Sequence, residues 1–263
     1  MSVKPRPVVP SPAATLVLLR DRADGGVETL LIKRHEKSRF AAGDFVFPGG
    51  RIEPTDAPSD AAAWCVGLDE TTAARRLGLG AGHAALAYWV GAIREAFEEV
   101  GVLMAYGGDG ELVGDAARFA EARRACQRDH RAFWDLVRAE GLRLATDRLT
   151  YFAHWITPEE NPLRFDTRFF AAITPPAQSA VPDEHEIVAV RWLAPAEAQA
   201  ARARGEIGLR VPTQKSLAIF DGADSAADAI ARLSGRAIPT IRPRLVVENG
   251  QRRAILPGEP GYY

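Results

Sequence analysis

Cysteine is scarce in this chain, and the sequence has neither an excess of one charge nor a long apolar run. The 263 residues include 2 cysteines, Cys65 and Cys126, which are far apart and in no spacing typical of a metal site. They indicate two reduced thiols rather than a disulfide framework. The 33 basic and 34 acidic residues give a net charge of -1, which argues against a general nucleic-acid-binding protein but leaves room for a local basic pocket.

The apolar segments are also short. The longest apolar run near the N-terminus, Leu16 to Leu19, is far too short to span a bilayer. The proline-rich stretch from Met1 to Pro12 has no apolar run behind a basic one, so it does not have the pattern of a signal peptide. We therefore expect a cytoplasmic protein with neither a membrane nor a nucleic acid as partner, and the sequence does not predict an oligomeric state.

Apolar periodicity and turn residues predict a mixed α/β fold, in which strands and helices are interspersed. The clearest turn signals are Asp24-Gly25-Gly26 and Asn249-Gly250, each between two predicted strands. The predicted strands are Ala13 to Leu19, Val27 to Lys33, Phe45 to Phe47, Leu149 to Ile156, Arg168 to Ile173, Ile187 to Leu193, Leu245 to Val247 and Arg253 to Leu256. The predicted helices are Asp69 to Leu77, Ala84 to Val100, Asp115 to Glu140 with a break near Asp129, Pro195 to Arg204, Thr213 to Phe220 and Ser225 to Leu233.

The end of the helix predicted over Ala84 to Val100 carries the most informative residues. At 100° per residue, Glu95, Glu98 and Glu99 share one face, opposite an apolar face that is suited to packing on a sheet. Neighbouring carboxylates repel one another, and no cation follows Glu95 or Glu98 at i+4 to answer them. Either this is a solvated acidic face or the carboxylates hold a divalent cation, which prefers oxygen ligands.

The glycines upstream of this helix favour the second alternative, a bound divalent cation. The stretch from Arg94 to Val102, together with Gly50, resembles the Nudix box, G-x5-E-x7-R-E-U-x-E-E-x-G-U, where U is a bulky apolar residue. The resemblance implies a Nudix fold, a mixed sheet sandwiched between helices. It also implies a metal-dependent hydrolase that cuts a diphosphate linkage in a small nucleotide substrate. On this basis we expect a tail over residues 1–12, a Nudix domain over 13–234 and a C-terminal extension over 235–263.

The motif is interrupted in this chain. The first glutamate of the family pattern falls on Asp56, and 37 residues separate Asp56 from Arg94 where the pattern has seven. The sequence therefore predicts an insertion at about 57–86 and leaves the role of Asp56 open. A similar interruption occurs in the acyl-CoA diphosphatase branch of the family. The insertion either borders the substrate pocket as a lid or is a tolerated surface excursion.

A second motif upstream resembles that of the coenzyme-A-cleaving members. The spacing of Arg34, Arg39, Gly43, Phe47 and Gly49 agrees with it, although isoleucine and histidine replace its Thr and Ser. The resemblance implies that these residues bind the substrate, because guanidinium groups bind phosphate oxygens in a bidentate way. The alternative is that the two arginines are ordinary loop cations.

The resemblance also implies roles at the metal. Glu95, Glu98 and Glu99 are expected to hold Mg²⁺ or Mn²⁺, with the carbonyl of Gly50 as a further ligand. Arg94 is expected to orient the glutamates.

The family often draws one more carboxylate from a loop outside the box. Asp183-Glu184-His185-Glu186 is the candidate segment, and within it we favour Glu186 over Glu184 as the catalytic group. A plain polar turn is the competing interpretation.

The sequence leaves three functions open. The first is hydrolysis of CoA or acyl-CoA. The second is hydrolysis of another Nudix substrate, namely ADP-ribose, NADH or a nucleoside triphosphate. The third is a Nudix-fold binding module without catalysis.

Two charged segments have simpler interpretations. The arginines between Arg118 and Arg131 alternate with apolar residues and predict a solvated helix face. The segment from Pro162 to Phe170 either borders the substrate pocket or is an exposed loop whose charges pair with one another, and the loop is the more economical interpretation.

Overall fold

The computed structural model describes residues 8–80, 83–248 and 251–262, apart from the side chains of Gln251 and Arg252. Within them, the strands are β1 (Ser11–Asp21), β2 (Val27–Arg34), β3 (Phe45–Val46), β4 (Gly49–Arg51), β5 (Ala105–Tyr106), β6 (Arg143–Leu144), β7 (Thr150–Ile156), β8 (Phe165–Ile173), β9 (Ile187–Leu193), β10 (Thr240–Ile241), β11 (Arg244–Glu248) and β12 (Gln251–Ile255). The helices are α1 (Glu70–Leu77), α2 (Ala87–Val100), α3 (Ala120–Arg128), α4 (Ala132–Ala139), α5 (Pro195–Ala203), α6 (Val211–Phe220) and α7 (Ala226–Ala231).

The main sheet is mixed. Its order is β10-β7-β8-β1-β2-β3, with β4 paired to β1 and β9 paired to β2. The pairs β1–β8 and β10–β7 are parallel, whereas the other pairs in the sheet are antiparallel. Strand β1 has two partners along one edge, since Ala13 to Thr15 pair with β4 and Leu19 to Asp21 pair with β2. This fork places the start of β4 beside the middle of the sheet.

Helices cover both faces of the sheet, as the family resemblance predicted. Along β1, Leu16 and Leu18 belong to the apolar cluster that contains α2, while Val17 and Leu19 belong to the cluster that contains α6. This alternation follows from the two-residue period of a strand, and it requires apolar residues on both sides because both faces are buried. The mixed α/β sandwich is therefore confirmed.

Helix α2 packs its apolar face on the sheet. Ile93, Ala96, Phe97 and Val100 are fully buried, and the helix lies against β1 and β4. It ends at Gly101, whose φ of 72° is left-handed and whose N–H donates to the carbonyls of the last turn. A left-handed position of this kind favours glycine, because glycine has no Cβ. The predicted end of the helix is correct, although the helix begins at Ala87 rather than Ala84.

The insertion at 57–86 is packed against the body of the protein. It contains a 3-10 turn at Ala61–Trp64 and helix α1. Its apolar residues Cys65, Leu68, Ala73 and Leu77 are buried in the same cluster as α2. Among its described residues, none lines either of the two cavities that lie beside the metal motif. The segment therefore forms part of the core and not a lid in this structure.

The segment from Pro162 to Phe170 differs from its predicted form. Most of it is strand β8, and Arg164 and Arg168 are buried rather than exposed. Asp166 accepts from Arg168 at 2.5 Å, and it also lies 2.6 Å from Nε2 of His154. The predicted internal pairing is present for Asp166 and Arg168, but the exposed loop was wrong. Arg164 is buried as well, and it donates to the backbone carbonyls of Thr157 and Val8.

The C-terminal segment joins the fold. Strand β10 pairs with β7, and β11 and β12 form the predicted antiparallel hairpin. The predicted Asn249-Gly250 turn lies outside the described residues. Among the described residues, no helix has both the length and the apolar character needed to cross a membrane.

Candidate active site

The candidate site lies where the last turns of α2 meet the turn that begins β4. The Gly49 N–H donates to Oε2 of Glu99 at 2.8 Å. A Cβ on Gly49 would lie 2.7 Å from the Cα of Thr15, and one on Gly50 would lie 2.5 Å from the Glu95 carboxylate. Gly49 therefore needs to be glycine, because the backbone of β1 leaves no room for a Cβ, whereas a Cβ on Gly50 would displace the Glu95 carboxylate.

Arg94 is the buried cation of the site, with 0% of its surface exposed. Its Nε and Nη2 donate to the two oxygens of Asp56 at 2.7 and 3.0 Å. Its Nη1 donates to Glu95 and to Glu98, both at 2.9 Å. Burial alone would lower the pKa of Arg94, but the hydrogen bonds with Asp56 and the charges of the two glutamates raise it above its ordinary value.

Asp56 therefore has a defined position. It is 1% exposed, and its contact with Arg94 spans 38 positions of sequence. The sequence left this residue undecided because the insertion hides its distance from α2. The structure places it beneath the helix, as the partner that fixes the orientation of Arg94.

The three glutamates lie in a poorly hydrated setting. Glu98 and Glu99 are 6% and 5% exposed, so the alternative of a solvated acidic face is wrong for them. Burial raises the pKa of Glu95 to about 7, and it also raises the pKa of Glu98. Burial and the nearby Glu95 charge raise the pKa of Glu99 well above its usual range. Buried acids with raised pKa values are typical of functional sites.

Helix α3 supports the end of α2 that carries these glutamates. Arg123 donates to the carbonyls of Glu98 and Glu99 at 3.1 and 2.8 Å, and Gln127 donates to that of Glu98 at 2.7 Å. These contacts satisfy carbonyls that lack partners at a helix end. The prediction of a solvated arginine face was therefore wrong at Arg123. Burial there lowers the pKa of its guanidinium group.

His130 is a site residue that the sequence did not predict. Its Nδ1 lies 3.1 Å from Oε1 of Glu98, and the ring lines the same cavity as the glutamates. It lies in the break between α3 and α4, and no spacing relative to the Nudix-like motif points to it. Only the folding of α3 against α2 brings it there.

A cavity of about 710 Å³ opens over the glutamates. Arg34 and Glu186, both predicted site residues, line it, whereas Glu184 is not among its lining residues. Arg34 lies 3.6 Å from Glu99 and 3.5 Å from Glu186, and its buried Nε has no hydrogen-bond partner in the described structure. The Glu186 side chain is 67% exposed.

The other residues of the upstream motif are further away. Arg39 is exposed and lines neither cavity, and Gly43 forms a turn at φ 71° beside Glu36. Phe47 is buried and lines a second, smaller cavity. The predicted role of Arg39 in binding substrate thus stays a prediction with no contact to support it.

The donor atoms of the site suit a hard divalent cation. Three carboxylates line one cavity, and burial raises the pKa of each, so a bound cation would stabilise their charged forms. In the arrangement described here, Glu95 and Glu98 turn toward Arg94 while Glu99 binds Gly49. Consistent with this, no three acidic, histidine or cysteine side chains among the described residues surround one point as a metal cage.

Comparisons with known proteins identify the family of the chain. The family model described as the NUDT19 Nudix domain matches residues 82–218, more than half of the chain. The acyl-coenzyme A diphosphatase NUDT19 of Gallus gallus is 31% identical over 229 residues, which cover 70% of this chain and 58% of that protein. The human protein of the same name is 25% identical over 275 residues, which cover 90% of this chain and 72% of its own length.

A solved structure extends the likeness to the fold. The crystal structure of a Nudix hydrolase from Alicyclobacillus acidocaldarius has a TM-score of 0.72 and 26% identity, over 87% of this chain and 99% of that one. The chain spans somewhat more than half the length of the chicken relative and of the Xenopus laevis relative, of which it covers 53%.

Proposed function

Because the chain belongs to the NUDT19 Nudix domain family, we propose that it hydrolyses the diphosphate linkage of CoA or acyl-CoA with a bound Mg²⁺ or Mn²⁺. The observation that carries the proposal is the set of carboxylates of Glu95, Glu98 and Glu99, the last two of them buried, which line a cavity large enough for a nucleotide. The CoA part of the proposal rests on the names of the relatives and on the position of Arg34 in that cavity.

The proposed roles of the residues follow from their positions relative to the cation. The three glutamates and the carbonyl of Gly50 would hold the cation. When bound, it supplies neutralisation of the diphosphate charge and a lower pKa for a water molecule. Arg94, fixed by Asp56, holds the carboxylates in place.

Two further side chains act on the substrate in this proposal. Arg34, which lines the cavity, binds a phosphate oxygen with its guanidinium group. Glu186 accepts the proton of the attacking water, because it is exposed to the cavity and is held near Arg34. A cytoplasmic location stays a prediction from the sequence.

The test is a substrate panel assayed with purified protein and Mg²⁺ or Mn²⁺. The panel contains CoA, an acyl-CoA, ADP-ribose, NADH and nucleoside triphosphates, and it compares the wild type with Glu98→Gln. The expected result is cleavage of the CoA species and a loss of about a hundredfold or more in Glu98→Gln. Glu121→Gln, an exposed glutamate of α3 that lines neither cavity, is the matched control.

Other outcomes are equally informative. Preference for ADP-ribose, NADH or a nucleoside triphosphate would retain a Nudix hydrolase and reject CoA. Absence of metal-dependent turnover on every member would favour a binding module, since the protein would then bind nucleotides without cutting them.

A further inference from the structure

His130 lies beside the carboxylate end of α2, close to two groups of opposite charge. Its Nδ1 is 3.1 Å from Oε1 of Glu98 and 3.5 Å from Nη1 of Arg94. The ring lines the cavity over the glutamates, and the side chain is 42% exposed. The histidine therefore presents a ring nitrogen to the place where the glutamates would hold a cation, and imidazole nitrogen is a common metal ligand in proteins.

The distance between Nδ1 of His130 and Oε1 of Glu98 is that of two neighbouring ligands. Two atoms that bind one octahedral cation at about 2.1 Å, at right angles to each other, lie about 3 Å apart. The two atoms already have this spacing, at 3.1 Å. The other carboxylate oxygen of Glu98, Oε2, accepts from Nη1 of Arg94. Arg94 thus holds the carboxylate by one oxygen, and the oxygen that remains for a cation is the one beside the histidine.

The segment that carries His130 is anchored to α2. Gln127, three residues before the histidine, donates to the carbonyl of Glu98 at 2.7 Å. The carbonyl of His130 accepts from the N–H of Phe133 at 3.2 Å. Phe133 is fully buried, and its ring centroid lies 6.4 Å from that of Phe97, the residue before Glu98. Packing and backbone contacts thus position the imidazole beside Glu98, as a pre-organised ligand requires.

A nitrogen ligand would change which cation the site prefers. Mg²⁺ takes oxygen ligands and keeps several waters, so it gains little from an imidazole. Transition-metal ions accept imidazole nitrogen more readily, and their affinity for such a site rises from Mn²⁺ to Co²⁺. Neutral His130 can supply this ligand when its ring proton is on Nε2, because the lone pair of Nδ1 is then free to bind the ion.

We propose that Nδ1 of His130 binds the cation together with Glu98 and makes the site prefer Mn²⁺ and Co²⁺ to Mg²⁺. The inference rests on the proposed function for the presence of a cation at the glutamates. It adds a ligand from outside the Nudix-like motif and narrows the choice between Mg²⁺ and Mn²⁺. A hydrogen bond between the same two atoms would have a similar length. It would make His130 a positioning residue with no effect on the choice of cation.

The first experiment detects the ligand itself. Pulsed electron paramagnetic resonance of the protein with bound Mn²⁺, without substrate, measures the coupling of the ion to a directly bound nitrogen nucleus. We expect this coupling in the wild type and its loss in His130→Asn. Asparagine keeps an N–H donor near the position of Nδ1, so it can replace a hydrogen bond to Glu98 but not the imidazole ligand.

The matched control is His185→Asn, because His185 lines the same cavity. This variant should keep the coupling. Absence of nitrogen coupling in the wild type, or its persistence in His130→Asn, would overturn the proposal, because the ring would then only orient Glu98. Loss of the coupling in His185→Asn would also overturn it, since the loop histidine would then be the ligand.

The second experiment measures the dissociation constants of Co²⁺, Mn²⁺ and Mg²⁺ by calorimetry, again without substrate. We expect His130→Asn to weaken the binding of Co²⁺ and Mn²⁺ about tenfold or more. The binding of Mg²⁺ should change by less than about threefold, because a water can replace the nitrogen, and it also shows that the variant is folded. An equal loss for all three cations, no loss for any, or no binding of a cation to the wild type would overturn the proposal.

These measurements separate the inference from the proposed function. Nitrogen-coupled Mn²⁺ in a protein that cleaves no substrate would support the ligand and reject the proposed hydrolysis. Cleavage of CoA species by a protein whose bound Mn²⁺ shows no nitrogen coupling would reject the ligand and support the hydrolysis.

Discussion

Two helical segments flank α2, and they hold its opposite ends. The insertion at 57–86 reaches the beginning of the helix, where the Glu70 carboxylate accepts from the N–H groups of Ala85 and Leu86. Helix α3 reaches the other end, where Arg123 and Gln127 donate to the carbonyls of the glutamates. A helix leaves N–H groups unpaired at its beginning and carbonyl groups unpaired at its end. The insertion supplies hydrogen-bond acceptors at the first of these ends, and α3 supplies donors at the second.

The two segments differ in how close they lie to the candidate site. Glu95, Glu98 and Glu99 lie in the last turns of α2, so α3 is beside them and the insertion is about two turns away. Helix α3 and the turn after it place Arg124, Arg128 and His130 in the cavity wall, whereas the described part of the insertion contributes none. The insertion, which interrupts the motif, therefore packs in the core. Helix α3, which the sequence predicted as a solvated helix, contributes residues to the site.

The largest expected effect comes from the buried side of the insertion. Leu68 is 5% exposed in the apolar cluster that contains α2. Leu68→Ala should reduce the free energy of unfolding by about 2–5 kcal/mol, since it removes buried contacts and leaves a cavity. The kcat/KM per folded molecule should change less than twofold. Urea unfolding and steady-state kinetics at low temperature measure the two quantities, and a large fall in kcat/KM would place the insertion in the site after all.

A matched pair of variants compares the two ends of α2 directly. Arg123→Ala removes a side chain that binds two carbonyls in the last turn of α2, and Glu70→Ala removes one that binds the N–H groups of the two residues just before α2. Each should lower the free energy of unfolding by about 1–3 kcal/mol. Only Arg123→Ala should also lower kcat, because only it frees the carbonyls of the glutamates. Equal kcat values for the two variants would show that support at the C-terminal end does not position the carboxylates.

The sequence predicted the carboxylate helix well for a physical reason. The apolar face of α2, its glycine stop and the three glutamates are local in sequence, so helical periodicity gives their relative positions. The sandwich of helices around a mixed sheet followed from the family resemblance carried by that helix together with Gly50.

Long-range contacts account for what the sequence did not predict. The contact of Asp56 with Arg94 spans 38 positions, and that of His130 with Glu98 spans 32. Nothing in the spacing of these residues encodes their approach, because it depends on how the intervening segments pack. The same limit applies to Arg164, which is buried because its side chain donates to the backbone carbonyls of Thr157 and of Val8, 156 positions away.

The charged end of α2 should make the metal-free protein sensitive to pH. Burial raises the pKa of Glu95 to about 7, so between the ordinary glutamate range and pH 7 the folded state binds more protons than the unfolded state. The free energy of unfolding should therefore fall as pH rises through this window, by on the order of 2 kcal/mol. In EDTA, Tm should drop by roughly 4–8 °C from pH 5.5 to 7.5, beyond the change in Glu95→Gln. Parallel Tm profiles for the two proteins would contradict this explanation.

The smallest expected effect is a change in KM, and it comes from two exposed arginines on α3. Arg124 and Arg128 are one turn apart on α3, are exposed and line the cavity. They should raise the local concentration of an anionic substrate without taking part in chemistry. The double variant to alanine should raise KM for CoA about three- to tenfold at low salt, with kcat nearly unchanged.

The matched control is the double variant of Arg75 and Arg76, two exposed arginines of α1 that line neither cavity. It removes the same net charge, so a uniform effect of charge would raise KM equally in both. A larger rise for the α3 pair, which shrinks as salt is added, would assign the effect to position beside the cavity. Equal KM values would instead mean that α3 acts on the site only through its contacts with the end of α2.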